Sequence, residues 1–232
     1  MMSELENKIK TVVFCFPGKS FSGKFLQCWT ELFAFCLKEN IRPILSVSES
    51  NNIYYVRTKC LGGNILNGVN QKPFNGKLEY DYLMWIDSDQ IFNVNHFKKL
   101  LSHDLDVVCG GYMMSDLKNM AIVEKMDNDY FKEHGHYEFL TQSKWDEKEK
   151  DGGLFEVDYC GMGFMLIKHG IVERLGYPWF MPELITIKID DENPIVDFES
   201  EDVCFCKKIK ALDVKIMIDP SVRVCHEKTV LI

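Results

Sequence analysis

Five consecutive apolar residues, Tyr82-Leu83-Met84-Trp85-Ile86, run directly into Asp87-Ser88-Asp89. A strand that is apolar at every position needs cover on both faces, which predicts an interior strand of a sheet with helices on either side. The flanking sequence repeats the theme. Residues 11–16 (TVVFCF), closed by Pro17-Gly18, read as a second buried strand, and residues 25–37 carry Phe25, Trp29, Leu32, Phe33 and Cys36 at helical spacing up to a stop at Asn40. Residues 41–47 read as a strand, and Ser50-Asn51-Asn52 as the cap of a short helix ending near Leu61. After a Gly- and Pro-rich connection, residues 95–101 read as a helix and 106–110 as another buried strand. This alternation predicts an α/β fold built from βαβ units, with a mostly parallel central sheet flanked by helices.

The second half is less regular. Residues 113–153 are polar, with a charged run over 144–151 that reads as a solvated helix or loop. Strands are expected at 163–168, 215–218 and 222–225, and helices at 171–175 and 201–212. A length of 232 residues with 46% hydrophobic content supports one large domain over 1–232, with 1–112 and 113–232 as its two halves.

Acidic residues outnumber basic ones by 35 to 27, for a net charge of -8 and a pI near 5.3. That is the wrong sign for broad adherence to nucleic acid or anionic lipid, although a local basic site stays open. No stretch approaches the ~18 apolar residues of a membrane helix, and the start, MMSELENKIK, lacks the apolar core of a signal peptide. The expectation is a soluble, cytoplasmic chain without a transmembrane segment, whose nine scattered cysteines are reduced and mostly in the core.

Two motifs compete for the chemistry. Residues 18–24 (GKSFSGK) fit the glycines and lysine of a phosphate loop between a strand and a helix, but Phe25 stands where a magnesium-binding hydroxyl is needed. Asp87-Ser88-Asp89 follows the most apolar strand, at the end where open α/β sheets bind ligands. On an extended backbone residues two apart share a side, so both carboxylates would reach one hard divalent cation. The plain alternative is that Asp87 caps the turn and Asp89 is solvated. Arg57 lies one helical turn after Ile53, placed to brace an acidic pair or grip a phosphate. Glu201 and Asp202 open a helix, where the dipole keeps carboxylates ionised and a base is held rigidly, though helix capping alone would also explain them. His226 ends the last strand, at a point where a third metal ligand would return to the sheet. A zinc site from Cys204, Cys206, Cys225 and His226 is disfavoured, because residues two apart on a helix and neighbours on a strand diverge.

Together these pieces resemble the GT-A glycosyltransferases, in particular the compact family-2-like enzymes of viruses and bacteria. The resemblance runs over most of the chain: the opening strand and loop at 12–17, the SNNIYYVRT stretch at 50–58, the "DYLLWIDSD" signature at 81–89, the "G-x-G-F-M-L-I" strand at 161–167, the "E-D-x-x-F-C" helix start at 201–206, and "v-x-H-e" at 224–227. Thr58 departs from the asparagine often found there, and 113–153 matches nothing in the pattern.

The resemblance implies a GT-A fold and transfer of a sugar from a nucleotide-sugar donor, UDP- or GDP-linked, to a glycan or other hydroxyl acceptor, with Mn2+ or Mg2+ as cofactor and no nucleic-acid partner. It implies that Asp87, Asp89 and His226 hold the metal, and that Asp202, with Glu201 beside it, supplies the base. The donor would lie on Phe16, Pro17, Ser48, Glu49, Arg57, Asp87, Ser88 and Asp89, and the sugar and acceptor on Gly161, Met162 and Gly163. Trp179 would form an acceptor platform or belong to the core. Inversion is the expected outcome, with retention open because a similar metal site serves both. The rivals are a catalytically degenerate sugar- or nucleotide-binding module and a phosphate-loop nucleotidase or kinase. Residues 190–202 hold seven carboxylates (Asp190, Asp191, Glu192, Asp197, Glu199, Glu201 and Asp202) and no Lys or Arg, so they contribute -7 of the -8. An acidic lip ending at the expected base would repel a diphosphate unless a cation and Arg57 offset it.

Overall fold

A computed structural model describes residues 9–188 and 193–228. In chain order its elements are β1 (Lys10–Pro17), α1 (Gly23–Lys38), β2 (Ile41–Ser48), α2 (Ile53–Cys60), β3 (Tyr82–Ile86), β4 (Gln90–Ile91), α3 (Val94–Ser102) and β5 (Val107–Gly111). These are followed by β6 (Ile122–Val123), α4 (Asn128–His134), α5 (Gln142–Asp151), β7 (Phe155–Val157), β8 (Tyr159–Cys160) and β9 (Phe164–Lys168). The last are β10 (Leu184–Lys188), β11 (Pro194–Phe198), α6 (Glu201–Lys210), β12 (Ile216–Arg223) and β13 (Cys225–His226).

Seven strands form the central sheet in the order β2-β1-β3-β9-β5-β12-β7. Strands β2, β1, β3, β5 and β12 point one way; β9, inserted between β3 and β5, and β7 at the far edge run against them. Alternate residues of each inner strand feed opposite layers. Val12, Phe14, Phe16, Tyr82, Met84 and Ile86 pack with Phe25, Leu32, Phe97 and Leu100 of α1 and α3. Val13, Cys15, Leu83 and Trp85 pack with Val56, Cys60, Phe205 and Ile209 of α2 and α6. This double burial is why β3 reads as apolar throughout.

Several sequence expectations change in detail. The strand expected at 222–225 is divided between the end of β12 and β13, and the one expected at 215–218 runs on through Arg223 as β12, whose pairing with β5 shifts register between Ile218 and Arg223. There Ser221 donates its backbone N–H to Asp219 at 2.9 Å. The helix expected over 171–175 is a single 3-10 turn, Val172–Arg174. The charged run at 144–151 is helical, and its buried Trp145 sits over Gly111, where a Cβ would come within 2.3 Å of the indole. Asn52 occupies the N-cap of α2 but sends its side-chain amide to the Tyr54 hydroxyl, 3.1 Å away, so it leaves the helix N–H groups uncapped. Asp190, Asp191 and Glu192 of the acidic lip lie outside the described residues.

Candidate active site

At the carboxyl end of β3 the chain turns: the Asp87 N–H donates to Gly163 O at 3.1 Å and the Gln90 N–H to Asp87 O at 3.0 Å. The loop after β1 closes on this turn. Gly18 N–H donates to Ser48 O at 2.9 Å, and a Cβ on Gly18 would lie 2.7 Å from Ser88 Cβ, so Pro17, Ser48 and Ser88 meet at one edge of the sheet. Because the backbone turns at Ser88, Asp87 and Asp89 leave in different directions. The extended-strand premise that put both on one cation does not hold here.

Asp87 belongs to a buried cluster. Arg57, only 3% exposed on α2, donates Nη1 to Asp87 Oδ1 at 3.0 Å, Nη2 to Asp87 Oδ2 at 3.3 Å and Nε to Glu201 Oε1 at 3.1 Å. Its guanidinium also lies 5.6 Å from the Trp85 ring centre. Burial alone would lower the guanidinium pKa, but the charges of Asp87 and Glu201 outweigh it and raise it further. For Glu201, burial and then the neighbouring Asp202 push the carboxyl up while Arg57 pulls it down, with a net rise. Asp202 is held by the Tyr159 hydroxyl on Oδ2 at 2.9 Å, and by its neighbour's N–H, Val203, on Oδ1 at 2.9 Å; the Ser200 hydroxyl also donates to Oδ1. Rigid, oriented carboxylates of this kind suit proton acceptance.

Asp89 faces the other way, toward the C-terminal segment. Pairing of β13 with β4 puts His226 opposite Gln90, and Glu227 N–H donates to Asp89 O at 2.7 Å. His226 Nε2 and Lys228 Nζ reach Asp89 Oδ2 at 2.8 Å and 2.7 Å. Burial would raise the Asp89 carboxyl, but hydrogen bonds from His226 and Lys228 hold it at about 2. The Met113 carbonyl, 3.1 Å from His226 Nδ1, can only accept, so Nδ1 carries a proton and Nε2 is the ring atom aimed at Asp89. That is the orientation of a metal-ligating histidine.

Manganese and magnesium take carboxylate and imidazole donors and complete their shells from phosphate and water, and adjacent ligands at ~2.1 Å bonds lie about 3 Å apart. The 2.8 Å between Asp89 Oδ2 and His226 Nε2 fits one edge of such a shell. Asp87 is turned instead to Arg57, which engages both its oxygens. Among the described residues no three ligand-type side chains converge, so the expected set of Asp87, Asp89 and His226 is not assembled as a triad.

Other expected residues are placed differently. The Phe16 ring is buried against Phe21, Phe25 and Trp29, so only its backbone reaches the edge. Glu49 meets α2 through its backbone carbonyl, 3.4 Å from Lys59 Nζ. Met162 and Trp179 are fully buried, which removes Trp179 as an exposed acceptor platform. Gly161 and Gly163 make room for Tyr112 rather than presenting open backbone: a Cβ would lie 2.1 Å from Tyr112 Oη at Gly161 and 2.8 Å from Cε1 at Gly163. Gly161→Ala is therefore expected to lower the free energy of urea unfolding by about 1–3 kcal/mol; an unchanged midpoint would show that Tyr112 moves aside freely. Ser22 caps α1 by accepting from Phe25 N–H at 3.1 Å, and the exposed Lys24 lies 3.8 Å from Glu227, an arrangement that gives the phosphate-loop rival no cradle. Sequence reasoning passed over Tyr159, Tyr112 and Lys228, and none of these carries a local pattern that marks it.

No family model matches the chain, and no curated protein matches its sequence. Among solved structures it is similar to A197 from STIV, with 21% identity, a TM-score of 0.55, and coverage of 95% of this chain and 86% of that one. It also aligns with GalNAc-T7, solved with UDP, GalNAc and Mn2+, at 12% identity and a TM-score of 0.48, over 97% of this chain but 45% of that one. Likeness at such identities concerns the fold alone, and the second superposition is too loose to carry argument. The chain shares with A197 a mixed α/β fold, here a mostly parallel central sheet flanked by helices.

Proposed function

We propose that the protein is a metal-dependent glycosyltransferase that moves a sugar from a UDP- or GDP-sugar to an acceptor hydroxyl with inversion. The observation that carries this reading is the gathering of Arg57, Asp87, Glu201 and Asp202 in one cluster, with the Asp89–His226 pair on the other side of Ser88. Residues 1–112 would supply the donor side and 113–232 the acceptor side of a single domain.

Asp89 and His226 would hold Mn2+ or Mg2+, which supplies the positive charge that stabilises a departing diphosphate. Lys228, already on Asp89, adds a second cation at the same place. Arg57 fixes Asp87 and Glu201 and with them the spacing between α2, β3 and α6. Asp202 accepts the proton of the acceptor hydroxyl, whose own pKa lies far above neutrality, while Tyr159 and Val203 N–H keep the carboxylate oriented.

The test is thermal unfolding in the presence of UDP-, GDP- and dTDP-sugars, with and without manganese. A donor at about a hundred times its Kd raises Tm by roughly 5–10 °C for a chain of this size, and the rise should need the metal. Asp89→Ala should abolish the metal-dependent part. A shift of equal size without metal, or one that survives in Asp89→Ala, would remove Asp89 from the metal site.

A further inference from the structure

Between Glu49 and Glu79 there is no acidic residue, while Arg57, Lys59, Lys72 and Lys77 all fall in that interval of a chain whose net charge is -8. Arg57 is spent in the buried cluster, but the three lysines are exposed and none forms an ion pair among the described residues. Among the described residues, Lys59 donates to the Glu49 carbonyl and Lys72 to the Glu173 carbonyl. The loop that follows α2 carries the second unusual feature. Leu66, Ile65 and Val69 are 89%, 84% and 73% exposed, and three of the five most exposed large apolar side chains among the described residues thus lie within five positions.

Single exposed apolar side chains are ordinary, but an apolar cluster at a loop tip flanked by unpaired lysines has a specific complement. A bilayer surface offers hydrocarbon to the tip and anionic headgroups to the flanks. We propose that residues 59–77 dock the protein on an anionic lipid surface, with Ile65, Leu66 and Val69 inserted and Lys59, Lys72 and Lys77 on the headgroups.

Two further observations favour lipid. The apolar surface continues inward from Ile65 into a cavity of about 780 Å³ walled by Tyr54, Tyr55, Tyr177, Phe180 and Met181, a size and lining suited to the end of an acyl or prenyl chain. Two acidic residues near this cavity are paired locally, Glu183 with Lys208 and Glu199 with Lys207. The remaining acid surplus is screened beyond about 8–10 Å at physiological salt, so a local basic face binds despite the net charge.

The docking stands apart from the transferase reading, since vesicle binding is measured without donor or metal. The experiment is co-sedimentation of the full chain with vesicles of phosphatidylcholine alone and of phosphatidylcholine mixed with phosphatidylglycerol. Binding is expected only to the mixed vesicles and should weaken as salt rises. Ile65→Asp with Leu66→Asp should weaken it by about tenfold or more, and Lys59→Gln and Lys77→Gln by about fivefold each. The substituted side chains are solvent-exposed, so circular dichroism should show an unchanged fold. Absence of binding, or equal binding to both vesicle types, overturns the proposal. If vesicles are ignored and Ile65→Asp with Leu66→Asp instead turns a dimer into a monomer in sedimentation velocity, the face belongs to a second copy of this chain and the lipid assignment is wrong.

Discussion

Arg57→Ala is expected to lose about 3–5 kcal/mol of folding stability together with all transfer activity. The size follows from what the substitution strands. Glu201 is almost fully buried with Arg57 Nε at 3.1 Å, and Asp87 takes both Nη groups, so alanine leaves two carboxylates without their shared cation. Removing one partner of a buried network costs far more than the network contributed, because the remaining charge keeps its desolvation penalty. Arg57→Lys keeps the charge but lacks a planar fork for three directed bonds, and an intermediate loss is expected. The deficit also acquires a pH dependence. Burial and Asp202 already raise the Glu201 carboxyl, and alanine at 57 removes what opposes them. A carboxyl raised above its unfolded value favours the fold while protonated and loses that contribution as pH climbs through the folded value. The deficit of Arg57→Ala should therefore be smaller below about pH 4 and grow above it. Urea denaturation across that range measures both effects. A loss under about 1 kcal/mol would place the cluster among ordinary surface pairs.

How far the sequence foretells this arrangement depends on the length of each element and on which neighbour decides it. The strands of the first half, β1, β2, β3 and β5, and helices α1 and α3 were legible because each is long enough to show a period or an unbroken apolar run. β6 and β8 are two residues each and carry no period, and the β10–β11 hairpin keeps most of its side chains at least partly in solvent, so neither stood out. The reversed direction of β9 is a property of the sheet and leaves no mark on Phe164–Lys168. Within the site, the sequence pointed to Arg57, Asp87, Asp89, Asp202 and His226, but their partnerships were decided by distant chain. Arg57 meets Glu201 across 144 positions, and a turn at Ser88 sends Asp87 and Asp89 apart. Phe16 and Trp179 illustrate the converse: an aromatic ring at a strand end or near a loop is core or platform according to neighbours that sequence does not display. The acidic lip also changes character. Its Glu201 is the inner partner of Arg57, and its Glu199 is paired with Lys207, so two of its seven carboxylates serve as internal bracing.

Asp202→Asn should lower kcat by about a hundredfold to ten-thousandfold while leaving metal-dependent donor binding in place. The amide is close in shape to the carboxylate: its oxygen at the Oδ1 place still accepts from Val203 N–H, and its NH2 at the Oδ2 place can donate to the Tyr159 oxygen, so positions around it should persist. What it cannot do is take a proton from the acceptor. Loss of kcat with an intact manganese-dependent thermal shift would assign proton acceptance to Asp202 and separate it from Asp89, whose loss should act on binding. Tyr159→Phe refines the assignment. It removes one donor from Oδ2 but leaves the carboxylate, so kcat should fall by a smaller factor, about tenfold to a hundredfold for a charged hydrogen bond, with KM for the donor unchanged. A Tyr159→Phe variant that loses donor affinity instead would place the tyrosine against the sugar. Full turnover by Asp202→Asn would move the base elsewhere, and Glu201, held by Arg57 and raised in pKa, is the only other carboxylate that opens α6. A Glu201→Gln variant would separate the two, because neutralising Glu201 leaves the Arg57 charge with Asp87 alone and should cost stability, which neutralising Asp202 should not.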